Sequence, residues 1–327
     1  MNETQIRPAI DHESAIDHEP VRQALLAGVL LIFCASLALP PLLSMRLHGS
    51  FYAAPLTVLG PFALFIPYLA WRRMDRLKAA IELFLVAFLT SIAVLALTYA
   101  AMRLRFPLAD AGLAAADAMI GYHSPTVVAW LDTQPLLARI LGSTYGSFFP
   151  QLLLLPVLLC VSGHVARGYG MILGYLLLGI FGSVICAFFP SEGAYVYYGL
   201  AADDFTGVNP KMGYLFLDSF YAVRDDPVFT LELDKAAGIV TFPSGHAGAA
   251  ILCAWAAWGW RRLRWPFLIL NLCMYLSALS HGAHYLVDVV GGTVVALLSI
   301  RIVTIVMDGK LPLLVAATRR RFRTEPA

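Results

Sequence analysis

Residues 79–102 read AAIELFLVAFLTSIAVLALTYAAM, with Glu82 the one charge in the run. At 1.5 Å per residue such a helix is roughly 36 Å long, enough to cross the ~30 Å hydrocarbon core of a bilayer. Seven further apolar windows lie near 22–44, 51–71, 138–161, 169–189, 246–263, 266–283 and 285–307. The chain therefore reads as all-α, a polytopic membrane bundle of about eight transmembrane helices. The window at 51–71 is the weakest, since it contains Pro55, Pro61 and Pro67; prolines are tolerated in a span where neighbours satisfy the freed carbonyls.

Composition agrees with this reading. Apolar residues make up 59% of the 327 and charged ones 13%, about half the ~25% charge of a soluble domain, which excludes a water-soluble globule. The arginines sit in short clusters between apolar runs, with no basic stripe to track nucleic acid. Cys34, Cys160, Cys186, Cys253 and Cys273 lie in or beside apolar runs without metal-ligand spacing and read as packing residues.

Lys and Arg give the orientation, because they accumulate on the cytoplasmic side. With the N-terminus inside, fifteen of the 23 fall on inner segments, seven on outer ones, and Arg301 within the last span. Both termini are then cytoplasmic. Residues 1–21 read as an acidic cytosolic tail with Asp-His-Glu at 11–13 and again at 17–19, and residues 308–327 as a basic one. A cleaved leader is not expected, since the region before Arg22 is acidic where a basic one is required. Residues 22–135 hold the first spans and an interfacial stretch, 103–137, expected to lie along the membrane surface with Asp110 and Asp117 exposed. The long outer segment 190–243, rich in tyrosines and acids, is of a length that is usually functional or disordered; its aromatics argue for order.

Where that segment ends, Phe242-Pro243-Ser244-Gly245-His246-Ala247 leads into an apolar helix. Proline and glycine make a turn into a helix N-terminus, whose unpaired N–H groups and dipole favour an anion such as phosphate. Farther on come His284-Tyr285-Leu286-Val287-Asp288. Four residues apart on a helix, Asp288 can hold the His284 imidazole in one tautomer and raise its basicity. Taken singly, the first feature is equally a capping turn and the second a mutually satisfied pair. Spacing joins them. The 37 residues between His246 and His284 allow a helix down, a basic turn at Arg261–Arg264 and a helix back, each leg about 25 Å. Both histidines return to one membrane face, outside the cell interior. Two histidines, a carboxylate and a helix-terminal anion site make a phosphoryl-transfer centre that needs no metal and no cofactor.

These residues resemble the type 2 phosphatidic acid phosphatase superfamily, whose motifs are Lys-x6-Arg-Pro, Pro-Ser-Gly-His and Ser-Arg-x5-His-x3-Asp. The second motif is present in full at 243–246. The third is present at Ser277, His284 and Asp288, with Ala278 in place of its arginine, and the first is absent. The run Gly238–Ser244, the stretch Gly282–Asp288 and Arg224 are similar to the inositol phosphotransferase branch, which includes inositol phosphorylceramide synthases. The resemblance implies a six-helix catalytic core over 136–307 and an integral membrane phosphotransferase or phosphohydrolase acting on a lipid phosphate ester, from a phospholipid or sphingolipid. In its mechanism His284 is the nucleophile, Asp288 orients it, and His246 protonates the leaving oxygen. Ser244 and Gly245 bind the phosphoryl oxygens, and the acceptor is an alcohol, or water in a phosphatase. With the family's cations missing, Arg224 is the first replacement and Lys235 the second; His281 stands behind the site as a hydrogen-bonding residue. The competing class is a transporter, with Asn271 and Arg301 at mid-membrane, or a membrane scaffold with an inactive site.

Overall fold

The computed structural model describes residues 18–309; the acidic tail through Asp17, with its first Asp-His-Glu, and the basic tail from Lys310 lie outside the described residues. Thirteen α-helices carry about three quarters of the described chain. The long ones are α1 (Glu19–Leu42), α2 (Gly49–Trp71) and α3 (Asp75–Met102). Between these and the second half come α4 (Asp110–Met119), α5 (Ser124–Asp132), α6 (Pro135–Tyr145) and α7 (Phe148–Val161). The chain continues through α8 (Val165–Phe188), α9 (Ala194–Tyr197), α10 (Leu217–Asp225), α11 (Gly245–Trp258), α12 (Arg264–His281) and α13 (Leu286–Met307). Each of the eight apolar windows contains a helix, that at 138–161 broken between Tyr145 and Phe148 and that at 246–263 ending at Trp258; α2 runs unbroken through its three prolines.

Among the described residues, five helices (α1, α2, α3, α8 and α13) are long and apolar enough to cross a membrane, or six if α6 and α7 count as one span bent by 57°. This is an integral membrane protein. Of the remaining windows, α12 is 18 residues long and α11 only 14, about 21 Å. Leu31, Leu56, Leu64 and Trp71 are among the large apolar side chains left on the outside, as a lipid solvent allows.

Helices α3 and α8 form the centre, α3 packing on α1, α2, α7 and α8, and α8 on α7, α11 and α13. Small residues permit this close packing: Ala80, Ala87 and Ala93 are buried on α3, and Gly179 of α8 leaves room for Val94 of α3. Without a hydrophobic drive between helices in lipid, such close fit carries the association. The charge in the opening run is paired: Glu82 accepts from Arg22 Nε at 2.6 Å and from the Tyr169 hydroxyl at 3.1 Å.

One departure from all-α is a short parallel pair, β1 (Met45–Leu47) with β2 (Phe229–Leu231). It ties the α1–α2 turn to the long segment 190–243. Arg103 strengthens that tie from the end of α3, donating to the carbonyls of Leu43, Val223, Asp226 and Pro227 at 2.6–2.9 Å. Asp132 gathers the N–H groups of Thr206, Gly207 and Val208. The segment 190–243 is thus held by its backbone at both sides.

Asp110 and Asp117, expected to be exposed, are buried, at 5% and 1% exposure. Seven residues apart, they share one face of α4, and that face turns inward because both carboxylates accept backbone N–H groups that would otherwise be buried unpaired.

Candidate active site

Ser244 caps α11, its hydroxyl accepting from the Ala247 N–H at 3.3 Å. The N–H groups of Gly245 and His246 therefore head a helix with no carbonyl behind them. The Ser244 N–H itself donates to the Asp288 carbonyl at 2.9 Å, which brings the N-termini of α11 and α13 side by side. Where the two helices cross, Gly292 leaves room for the Ser244 carbonyl and Gly248 for the Gly292 carbonyl.

His284 and Asp288 are both buried, and His284 Nδ1 lies 3.2 Å from Asp288 Oδ2. A carboxylate only accepts, so Nδ1 carries the hydrogen and Nε2 keeps its lone pair. The same Oδ2 accepts the Tyr285 N–H at 3.1 Å, fixing the carboxylate at the start of α13.

The turn before it, Gly282–Ala283, is tightly made. Ala283 has φ +53° and is fully buried, a left-handed conformation that costs a non-glycine residue about 1 kcal/mol or more. Its carbonyl accepts the Ala194 N–H at 2.8 Å, and Gly193 beside it has φ +89°. Tyr195 donates its hydroxyl to the Ser280 carbonyl on the same turn.

The two buried aspartates of α4 complete this frame. Asp117 accepts from Leu286 N at 2.9 Å and from Val287 N at 2.8 Å, capping α13; burial pushes its pKa up, against those two bonds, which pull it down. Asp110 accepts from Ser191 Oγ, the N–H groups of Glu192 and Gly193, and the Tyr285 hydroxyl at 3.0 Å. Burial, and then the Asp110 charge, push Tyr285 well above the usual tyrosine range, so its hydroxyl remains a donor.

His246 projects from the first turn of α11 under the bend between α6 and α7. Tyr145, the last residue of α6, stacks on it at 3.9 Å and 12°, and Phe148, the first of α7, lies 4.9 Å away. The bend thus carries an aromatic residue on each side of the imidazole. His246 and His284 line one cavity of about 550 Å³, together with Pro243, Gly245 and Gly282.

The other expected residues lie apart from this group. Arg224, on α10, donates Nη2 to the Phe106 carbonyl at 2.9 Å and sits over the Phe220 ring; its buried Nη1 has no partner among the described residues. Lys235 is exposed and paired with Glu232 at 2.9 Å. Neither lines the cavity. His281 has Nδ1 2.9 Å from Ser280 Oγ and its ring against Gly142. Ala278, where the resembled motif has arginine, is fully buried and packs with Ala247 and Val289, leaving a long cation no room. Of the transporter residues, Asn271 donates its amide to Gln151 Oε1 at 2.9 Å and to the Phe267 carbonyl of its own helix at 2.8 Å, and its buried Oδ1 has no partner among the described residues. Among the described residues no three His, Cys, Asp or Glu side chains converge to hold a metal ion.

Sequence reading missed Tyr145 and the two aspartates. The spacing of Asp110 and Asp117, two helical turns, was the available signal for the latter; for Tyr145 there was none, because its role depends on the bend.

A family model described as the PAP2 superfamily matches residues 111–302, 192 of the 327 residues, beginning within α4 and ending in α13. No curated protein and no solved structure gave a match.

Proposed function

This chain belongs to the PAP2 superfamily, and on that premise we propose that it transfers the phosphoryl group of a lipid phosphate ester through a phosphohistidine on His284. Membership suggests phosphatase-type chemistry on lipid phosphates; the finer reading rests on the site. The observation that carries it is that His246 and His284 line one largely apolar cavity, with Asp288 bonded to His284 behind it.

In the first step Nε2 of His284 attacks phosphorus and the bond from phosphorus to the leaving oxygen breaks, with His246 giving that oxygen its proton. Asp288 stabilises the imidazolium that forms. The N–H groups of Gly245 and His246 meet charge on the phosphoryl oxygens, behind the turn that Ser244 caps. In the second step His246 takes a proton from an alcohol or from water, and that oxygen displaces His284. An alcohol makes the enzyme a transferase of the inositol phosphotransferase kind, and water makes it a phosphatase. Arg224, although it does not line the cavity, is the candidate clamp: its Nη1 is buried with no partner among the described residues, which leaves one arm of the fork for an oxyanion. Lys235 is secondary, being engaged by Glu232.

We propose also that α11 and α12 are the two remaining spans of eight, that residues 136–307 form the catalytic core, that both termini are cytoplasmic, and that the site faces outward. The basic turn Arg261–Arg264 and the adjacent N-termini of α11 and α13 support this arrangement. Product analysis tests the function: purified protein is incubated in EDTA with a panel of radiolabelled phospholipids and alcohol acceptors. Transfer or release of the phosphoryl group is expected. Activity only after a divalent ion is restored would count against it.

A further inference from the structure

The cavity that begins at His246 and His284 continues deep into the membrane region between α3 and α8. Ile92 and Leu95 line it on one side and Gly179 and Gly182 on the other, and Phe88 and Tyr175 are the deepest residues of the two helices to reach it. From Thr98 to Phe88, both lining residues of α3, the path is about 15 Å. Leu178 packs on Gly248, within the first turn of α11, and Gly174 faces Leu252 a turn farther in. Tyr175 therefore lies well below the histidines.

The walls are more apolar than their composition. Ser91, Thr98 and Ser183 line the cavity, yet each donates its hydroxyl to a carbonyl of its own helix, at 2.9, 2.7 and 2.7 Å. At Gly182 nothing stands within 4 Å of where a Cβ would be, so the absence of a side chain there keeps the passage open. The passage is long enough for about twelve bonds of an extended chain, at the ~1.2 Å per bond of an extended backbone.

We propose that this channel takes one hydrocarbon chain of the lipid phosphate and gauges its length, with Gly182 keeping the way in open and Phe88 closing the far end. The proposal rests on the function argued above and deepens it. It also gives a role to α3, which lies before the matched residues 111–302. A chain leaving the bilayer for the channel exchanges one apolar medium for another, so it gains little from transfer. Selection comes from exclusion: a chain too long for the channel must overpack its end.

The test uses full-length protein in nanodiscs and n-alkyl phosphates (butyl, dodecyl and hexadecyl), with binding read from the rise in Tm, which needs no turnover. Comparing proteins for one ligand at a time cancels partition into the bilayer. Gly182→Leu is expected to bind butyl phosphate as wild type does and dodecyl phosphate about tenfold more weakly. Phe88→Ala is expected to bind hexadecyl phosphate about tenfold more tightly than wild type does. If Gly182→Leu does not fold, Phe88→Ala decides alone. Equal ranking of the ligands by wild type and the folded variants would overturn the gauge. Should the variants shift as expected while His284→Ala still turns over a lipid phosphate, the phosphohistidine reading fails and the channel stands.

Discussion

Gly282→Ala adds one methyl group at the place where the site has least room. The glycine has φ −91° and ψ −2°, which alanine adopts without strain, so any effect is steric. Its new Cβ would stand 2.6 Å from His284 Cδ2, 2.8 Å from the Ala278 carbonyl oxygen and 3.0 Å from Tyr145 Cε2. Ordinary carbon contacts lie near 3.5–4.0 Å, so the His284 ring must retreat by about 1 Å, the carbonyl being fixed within α12. That retreat breaks a bond already 3.2 Å long to Asp288. Overpacking of this kind costs about 1–3 kcal/mol of stability. A 1 Å misplacement of a reacting group costs about 100-fold in rate, or about 2.7 kcal/mol of barrier. The assay is kcat on a radiolabelled lipid phosphate beside Tm, with Gly60→Ala as control, since nothing lies within 4 Å of a Cβ there. The variant should stay folded with kcat down about 100-fold, the control unchanged. Gly282→Ala within about twofold of wild type would refute the placement of His284 as nucleophile.

Asp117→Asn turns an amide N–H group toward one of the two backbone N–H donors it now accepts and should lower stability by about 1–3 kcal/mol, read from Tm. Its pKa is raised in the folded protein, so wild-type stability should fall as pH climbs from the ordinary carboxylate value to the raised one. The variant should lose that slope. Arg224→Ala should cost about 10-fold to 200-fold in kcat/KM, a charge-assisted contact being worth ~1.5–3 kcal/mol. Arg224→Lys should retain part of the activity and Lys235→Ala nearly all of it; the reverse order would move the clamp to Lys235. His246→Ala should recover activity on an ester of p-nitrophenol, whose leaving group needs no proton, whereas His284→Ala should not. Equal losses on both substrates would argue against the two roles.

Much of this was legible in the chain. The run at 79–102 reappears within Asp75–Met102, because a long apolar window with a single charge has few alternatives in lipid. The two motifs sit at the heads of α11 and α13 for a local reason as well: Ser244 caps the helix that carries His246, and Asp288 ties His284 and the Tyr285 N–H to the start of α13. What could not be read depends on tertiary contact. Hydropathy marks Asp110 and Asp117 as surface residues, and only the backbone N–H groups brought to them from residues 192–193 and 286–287 reverse that. The window 138–161 looks like one span, whereas the 57° bend near Gly146 sets Tyr145 and Phe148 about His246. Arg224 lies 19 residues before Pro243, a separation that says nothing of the Phe106 carbonyl it binds.

The mechanism turns on the covalent intermediate on His284. Purified protein is mixed with a lipid phosphate labelled at phosphorus, quenched in alkali within one turnover, and digested for mass spectrometry. A phosphoryl group is expected on the His284 peptide, stable to alkali and lost in acid, absent from His284→Ala and still formed with the p-nitrophenol ester in His246→Ala. Label on another residue, or full turnover by His284→Ala, would contradict it.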